Sequence, residues 1–302
     1  MKAFFISTLF LFFFLPGFSQ SPDTLLISNF PCCISGIEWD DQEERLFLVS
    51  DLSNKVYVAT VDLNNMISKV VDSISISNSP HEIGLESIRK AGNTFYFAYE
   101  KDENSHSGRT ATTFISKGIF KNGVITIVKN IEINNLPDNK GIEGLTIADE
   151  GKSIWVSHET MAKPRNGVDS VKLIQLDTNL SLQSFRWYAL PKLSFFTGNI
   201  SAYNDYGITE ILNIKDSLYI LERSYGKLNS SPELFINLVK TSISDLKKKI
   251  LLYSFKAIPS RANYVDNYEG MCWLNKANKL LIISDDNRNM KHQRTILLIL
   301  NP

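Results

Sequence analysis

The 302-residue chain predicts an all-β fold, a β-propeller built from four-stranded blades. Three observations predict it. One hairpin-like layout recurs five times, its copies stand at intervals that suit blades, and two further β-rich segments follow most copies.

The copies are "SGIEWDDQEERLFLVSD" (35 to 51), "GLESIRKAGNTFYFAYE" (84 to 100), "GIEGLTIADEGKSIWVSHE" (141 to 159), "GITEILNIKDSLYILE" (207 to 222) and "YEGMCWLNKANKLLIISD" (268 to 285). A Glu stands near the start of each: Glu38, Glu86, Glu143, Glu210 and Glu269, at intervals of 48, 57, 67 and 59 residues. Each copy runs or alternates apolar over a strand length, breaks at Asp, Gly, Asn or Lys, and resumes in a β-rich run. Those are β-hairpins. Third and fourth strands are supplied by segments such as "KVYVATVD" with "KVVDSISIS", and "TTFISKGIF" with "GVITIVKNIEI". The last copy is followed only by "RTILLIL" (294 to 300), while "TLLIS" (24 to 28) stands unassigned at the other end. An N-terminal strand therefore completes the last blade and protects an open edge. Five blades fit best; a sixth requires the interval from Glu143 to Glu210 to hide a degenerate copy.

Residues 1–20, "MKAFFISTLFLFFFLPGFSQ", carry one Lys, an apolar run and small residues, the pattern of a signal peptide cut near Ser19 or Gln20. No cysteine stands there to accept a lipid, so a secreted or periplasmic protein is expected, with residues 21–302 forming one domain. No later stretch reaches the ~18 apolar residues of a membrane span. Lys plus Arg and Asp plus Glu both number 32, which gives no field for nucleic acid, and "LKKK" (246 to 249) reads as a solvated turn. A monomer acting on a small molecule is expected. Three cysteines, Cys32, Cys33 and Cys272, are too few for a disulfide scaffold. One bridge to Cys272 and a set of inert thiols fit equally well.

In an antiparallel hairpin the first strand starts where the second ends. Each repeat Glu should then neighbour the acid closing its second strand: Glu38 with Asp51, Glu86 with Glu100, Glu143 with Glu159, Glu210 with Glu222, and Glu269 with Asp285 or Asp286. With first strands lining the axis, all the pairs gather at one mouth. The long connections "KDENSHSGRT", "TMAKPRNGVDS" and "PKLSFFTGNISAYND" fall on that face, which in repeat folds is often the binding face. So many carboxylates need positive charge among them. Calcium, which takes six to eight hard oxygens, is the expected cation; Arg109, Lys163, Arg165, Arg223 and Arg288 are alternative partners for the acids or for an anionic substrate. The competing reading is structural, with the acids capping amides and tying blades together.

The phrases "SGIEWD...LFLVSD", "GIEGL...IWVSHE", "GITEIL...LYILERSYG" and "YEGMCW...LLIISDDN" together resemble the phytase-like family described by an esterase-like activity of phytase. The resemblance spans nearly the whole mature chain. It implies an exported propeller that hydrolyses phosphoesters, and its acidic phrases carry over onto Glu38, Asp51, Glu143, Glu159, Glu210, Glu222, Arg223, Glu269, Asp285 and Asp286, whose carboxylates are the metal ligands expected in the calcium-ring reading. "GLES" departs from the Glu-Gly form at Glu86. In the hydrolase scheme Arg223 clamps phosphate, while Glu143 or Glu269 is the general base or a further ligand. His158, beside Glu159, is either a site residue or a structural histidine; His81, His106 and His292 lack zinc spacing. Tyr225 and Trp273 read as packing aromatics. No G-x-S-x-G, H-E-x-x-H or P-loop phrase is present. A calcium-dependent lactonase or sugar-ester hydrolase and a non-catalytic ligand-binding propeller are the other two readings.

Overall fold

Among the described residues, β-branched and aromatic runs broken by two-to-four-residue polar turns fold into twenty strands and one short 3-10 turn, Asp149–Gly151. The computed structural model describes residues 22–101, 112–133, 141–159, 170–190, 203–228, 231–257, 267–286 and 294–302. Residues 1–20, expected from sequence to be a signal peptide, most of the long connections, Arg109, Lys163, Arg165, Arg288, His106 and His292 lie outside those residues, as does the side chain of Tyr225.

The strands form five antiparallel blades among the described residues. Blade 1 is β2 (Ile34–Asp40), β3 (Arg45–Ser50), β4 (Lys55–Asp62) and β5 (Ile67–Ser77). Blade 2 is β6 (Leu85–Ala91), β7 (Thr94–Lys101), β8 (Thr112–Lys121) and β9 (Val124–Ile133). Blade 3 is β10 (Ile142–Ala148), β11 (Ser153–His158), β12 (Ser170–Asp177) and β13 (Leu182–Ala189). Blade 4 is β14 (Tyr203–Ile214), β15 (Ser217–Leu228), β16 (Ser231–Ser242) and β17 (Asp245–Ala257). Blade 5 is β18 (Asn267–Leu274), β19 (Lys279–Asp285), β20 (Leu297–Leu300) and then β1 (Asp23–Ser28), the N-terminal strand, with Leu25 opposite Leu297. Five blades and the N-terminal closure are as the repeat predicts.

First strands touch in the cyclic order β2, β6, β10, β14, β18 and back to β2, so the ring is complete. The core is divided to match. Five apolar clusters fill the five gaps between neighbouring blades; Leu221 and Leu238 of blade 4, for example, pack on Met271 and Ile282 of blade 5. Buried branched aliphatics on both faces of each sheet thus bind blade to blade through the hydrophobic effect. The closing strand is tied twice, since β1 also pairs in parallel with β5, Leu26 opposite Ile67, and β5 with β9. Among the described residues the three cysteines form no disulfide, and Cys272 is buried in the gap between blades 5 and 1.

Candidate functional site

Every first strand carries an extra residue, a β-bulge, at an equivalent position, and β14 has a second irregularity between Tyr203 and Asp205. The bulges fall at Ser35, Glu86, Glu143, Thr209 and Glu269, between the register pairs Ile34–Ser50 and Gly36–Val49 in blade 1 and their counterparts in the other four. A bulge re-aims a side chain that regular pleating would send elsewhere. One residue past the second-strand partner of each bulge stand Asp51, Glu100, Glu159, Arg223 and Asp285. Of these ten equivalent positions, all but Thr209 line a single cavity of about 250 Å³ at the mouth of the axis, together with Cys33, Leu52, Ile83, Gly84 and Asn267.

This register corrects the pairing expected from sequence. Glu38 lies three residues past its bulge and Glu210 one past, so neither is the counterpart of Glu86, Glu143 or Glu269. Likewise Glu222 is the counterpart of His158, and Arg223 occupies the position held by an acid in the other four blades. Glu38, Glu210, Glu222, His158 and Asp286 are not in the cavity lining. Glu86 and Glu100, set aside by the family phrases, are in it, and so are Ser35 and Asn267, which the sequence reading missed. A small or Glu residue following each bulge (Gly36, Ser87, Gly144, Glu210, Gly270) is the signal that would have aligned the five copies correctly.

Main-chain hydrogen bonds at the mouth join blade 1 to blade 2 and blade 3 to blade 4, and others fix the ends of the strands within a blade. Asp51 N donates to Cys33 O (3.2 Å), Gly84 N to Asp51 O (2.6 Å), Glu100 N to Gly84 O (2.8 Å), Glu159 N to Gly141 O (2.9 Å) and Ile208 N to Glu159 O (2.8 Å). Gly84 sits at φ 90°, and a Cβ there would run into the Glu100 carbonyl, so this crossing requires glycine. Glu100 accepts from Gly141 N at 3.1 Å. The acids thus stand on a backbone fixed by its neighbours.

Seven carboxylates, those of Asp51, Glu86, Glu100, Glu143, Glu159, Glu269 and Asp285, face one guanidinium in the cavity. Arg223 Nη1 donates to Asn267 Oδ1 (2.9 Å) and Glu269 Oε1 (3.1 Å), and its Nη2 donates to Glu159. Burial, followed by repulsion from neighbouring acids, holds the carboxyls of Glu86 and Glu143 well above the usual range. Burial, and next the charge of Asp285, pushes Glu269 up to about 8. A fully ionised ring is therefore costly unless a cation or protons join it. In donor type the lining suits a hard divalent cation. As placed, the acids stand around the rim: among the described residues, the trio whose ligand atoms lie within 4.8 Å of one another is Cys32, Cys33 and Asp286.

The remaining predicted residues are held in buried contacts. Arg89 lies between Glu38 (3.7 Å) and Glu210 (3.1 Å). Glu222 accepts from Tyr188 Oη and from Lys249 Nζ at 3.2 Å, across the gap between blades 3 and 4. Burial and the nearby Lys172 pull His158 down to about 4, so its imidazole is neutral at pH 7.

The family description "Phytase-like: Esterase-like activity of phytase" matches residues 33–288. Comparison with curated protein sequences returns no match. Among solved structures the chain is similar to the GH43 endo-arabinanase from Bacillus licheniformis, at 14% identity and TM-score 0.50, over 91% of this chain and 96% of that one. It is also similar to an exo-1,5-alpha-L-arabinanase from a bovine ruminal metagenomic library, at 10% identity and TM-score 0.50, over 88% and 92%. At these identities the likeness is one of fold. Among the described residues no helix is long and apolar enough to cross a membrane.

Proposed function

The chain belongs to the phytase-like family described by esterase-like activity of phytase, and from that premise we propose an exported propeller hydrolase that cleaves phosphoesters or related small esters at the acid-lined mouth with calcium as its cation. The observation carrying this reading is the convergence of seven carboxylates and Arg223 from five blades on one cavity of about 250 Å³. A fold needs no such concentration of like charge for its own stability.

The ligand set would come from Asp51, Glu86, Glu100, Glu159 and Asp285. Calcium bound there would supply Lewis-acid chemistry to the ester and its nucleophile. Arg223 binds the substrate's anionic oxygens through its planar donor fork, already oriented by Asn267, Glu159 and Glu269. Because Glu269 accepts from Arg223 and Asn267, its role is to hold the arginine. Glu143, whose carboxyl burial and neighbouring acids hold in the protonated form, would ionise once a cation joins the ring, and is then the carboxylate that takes the attacking water's proton. His158, outside the cavity lining, has no part in the scheme.

The test is hydrolysis of phosphomonoesters, phosphodiesters, carboxylic esters and lactones by the mature chain, with calcium and with chelator. Calcium-dependent turnover is expected on a phosphoester or carboxylic ester, falling on the order of 100-fold or more in Glu143→Gln. Turnover of lactones alone would reassign the substrate class. No turnover from folded protein would replace the hydrolase with a binding propeller.

A further inference from the structure

Cys32 and Cys33 precede β2, and Asp286 follows β19 at the far end of the chain. Two thiol sulfurs and a carboxylate oxygen from these residues lie within 4.8 Å of one another. Consecutive side chains of an extended segment face opposite ways, which would part the two sulfurs. Cys33 breaks that alternation with a φ of 59°, a left-handed conformation uncommon outside glycine.

The surrounding backbone is held. Ser50 Oγ donates to Cys32 O (3.0 Å) and Asp51 N donates to Cys33 O (3.2 Å), so both carbonyls of the pair are pinned to the end of β3. Cys33 N donates to Asp286 Oδ1 (3.0 Å), which fixes the carboxylate beside the sulfurs across 253 positions of sequence. Cys32 is exposed, while Cys33 is buried and lines the acidic cavity.

We propose that Cys32, Cys33 and Asp286 form a second metal site, for a thiophilic divalent cation of the zinc class, at the rim of the mouth. Donor chemistry separates it from the acid ring. Hard calcium favours carboxylate and carbonyl oxygens, whereas two sulfurs select softer ions. Zinc accepts a mixed sulfur and oxygen set, and three protein ligands leave a fourth position for water or an incoming group. The neighbouring carboxylates favour a cation there, and binding releases the thiol protons. This site does not depend on the hydrolase reading.

The experiment titrates Co2+ and then Zn2+ into the mature, metal-free protein, reduced and kept from oxygen. One equivalent of Co2+ should give a thiolate-to-cobalt charge-transfer band that Zn2+ abolishes and excess Ca2+ leaves in place. Zinc should also shield the exposed Cys32 from alkylation, with buried Cys272 as the unreactive reference. The band should vanish in Cys32→Ser, whose exposed position leaves the melting temperature unchanged. Apparent zinc affinity should fall on the order of 10–100-fold in Asp286→Asn. Absence of the band with both thiols reduced would overturn the site. So would a band that survives Cys32→Ser, or a Cys32–Cys33 disulfide as the form in which the protein is isolated.

Discussion

Arg89 Nη2 stands 3.1 Å from Glu210 Oε1, joining blade 2 to blade 4 beneath the acid mouth. Positions following the bulges are otherwise small, and a Cβ on Gly270 would stand 3.1 Å from Gly36 Cα, so first strands crowd closely there. Glu210 is the one large side chain in that layer. It also accepts from Leu145 N (3.1 Å), Ile211 N (2.9 Å) and Ser87 Oγ (3.3 Å). Arg89 donates to the carbonyls of Ile37 and Ile211, both at 3.0 Å, and so ties three blades at once. Arg89→Met should leave two buried acids uncompensated and cost about 3–5 kcal/mol of stability. Adding Glu38→Gln and Glu210→Gln should recover much of that loss. Urea unfolding of the single and triple variants measures both; equal losses would show that shape, not charge, is what Arg89 supplies.

The bulge register divides the acids into two groups, and calcium affinity should follow the division. Glu86→Gln and Asp51→Asn remove oxygens from the cavity lining, whereas Glu222→Gln changes an acid that faces Tyr188 and Lys249. Calorimetric titration should therefore show affinity lost or weakened at least ~10-fold in the first two variants, and kept in the third. A Glu222→Gln variant that no longer binds calcium would place the cation between blades 3 and 4.

The blades were legible in the sequence because period-two alternation and polar turns repeat wherever a strand pairs, and the stray "TLLIS" segment at the N-terminus matched the strand missing at the C-terminus. What was not legible was the bulge. One inserted residue shifts a carboxylate by a single position and leaves the apolar pattern on either side intact. Aligning the copies on their first Glu therefore placed Glu38 and Glu210 at the mouth, though both pair with Arg89 below it. It also took Glu222 as the ring position where Arg223 stands. Asp286 was misplaced for another reason: its partner Cys33 lies 253 residues away, a pairing set by ring closure.

Stability should fall more steeply with rising pH without a cation than with one. Burial pushes Glu38 and Glu210 up to about 7 and Glu269 up to about 8, from 4.5. The folded chain then keeps protons that the unfolded chain releases, so the stability these groups contribute is complete below pH 4.5 and is lost as pH rises through 7 to 8. In chelator the melting temperature should fall from pH 5 toward pH 8. With calcium the mouth acids gain an ionised form that is compensated, so that decline should flatten and reverse in part, leaving the contribution of Glu38 and Glu210. Parallel melting curves in calcium and chelator across that range would remove the acid ring as the cation's site.

Arg223 breaks the fivefold pattern, and its geometry is specific to a guanidinium. One nitrogen reaches Asn267 and Glu269 while the other reaches Glu159, spanning blades 3 and 5 from blade 4. A lysine ammonium keeps the charge but offers no planar fork for two acids and an oxyanion together. Arg223→Lys should therefore retain calcium binding and fold, since the charge balance of the mouth is unchanged, yet lose on the order of 10-fold or more in kcat/KM on an anionic ester. If the arginine acts on substrate binding alone, the loss falls in KM; a loss in kcat places its contacts in the transition state. Steady-state kinetics on a phosphate ester and on a neutral carboxylic ester separate these cases. Equal losses on both would mean that Arg223 positions Glu159 and Glu269 and does not bind the substrate's anionic group.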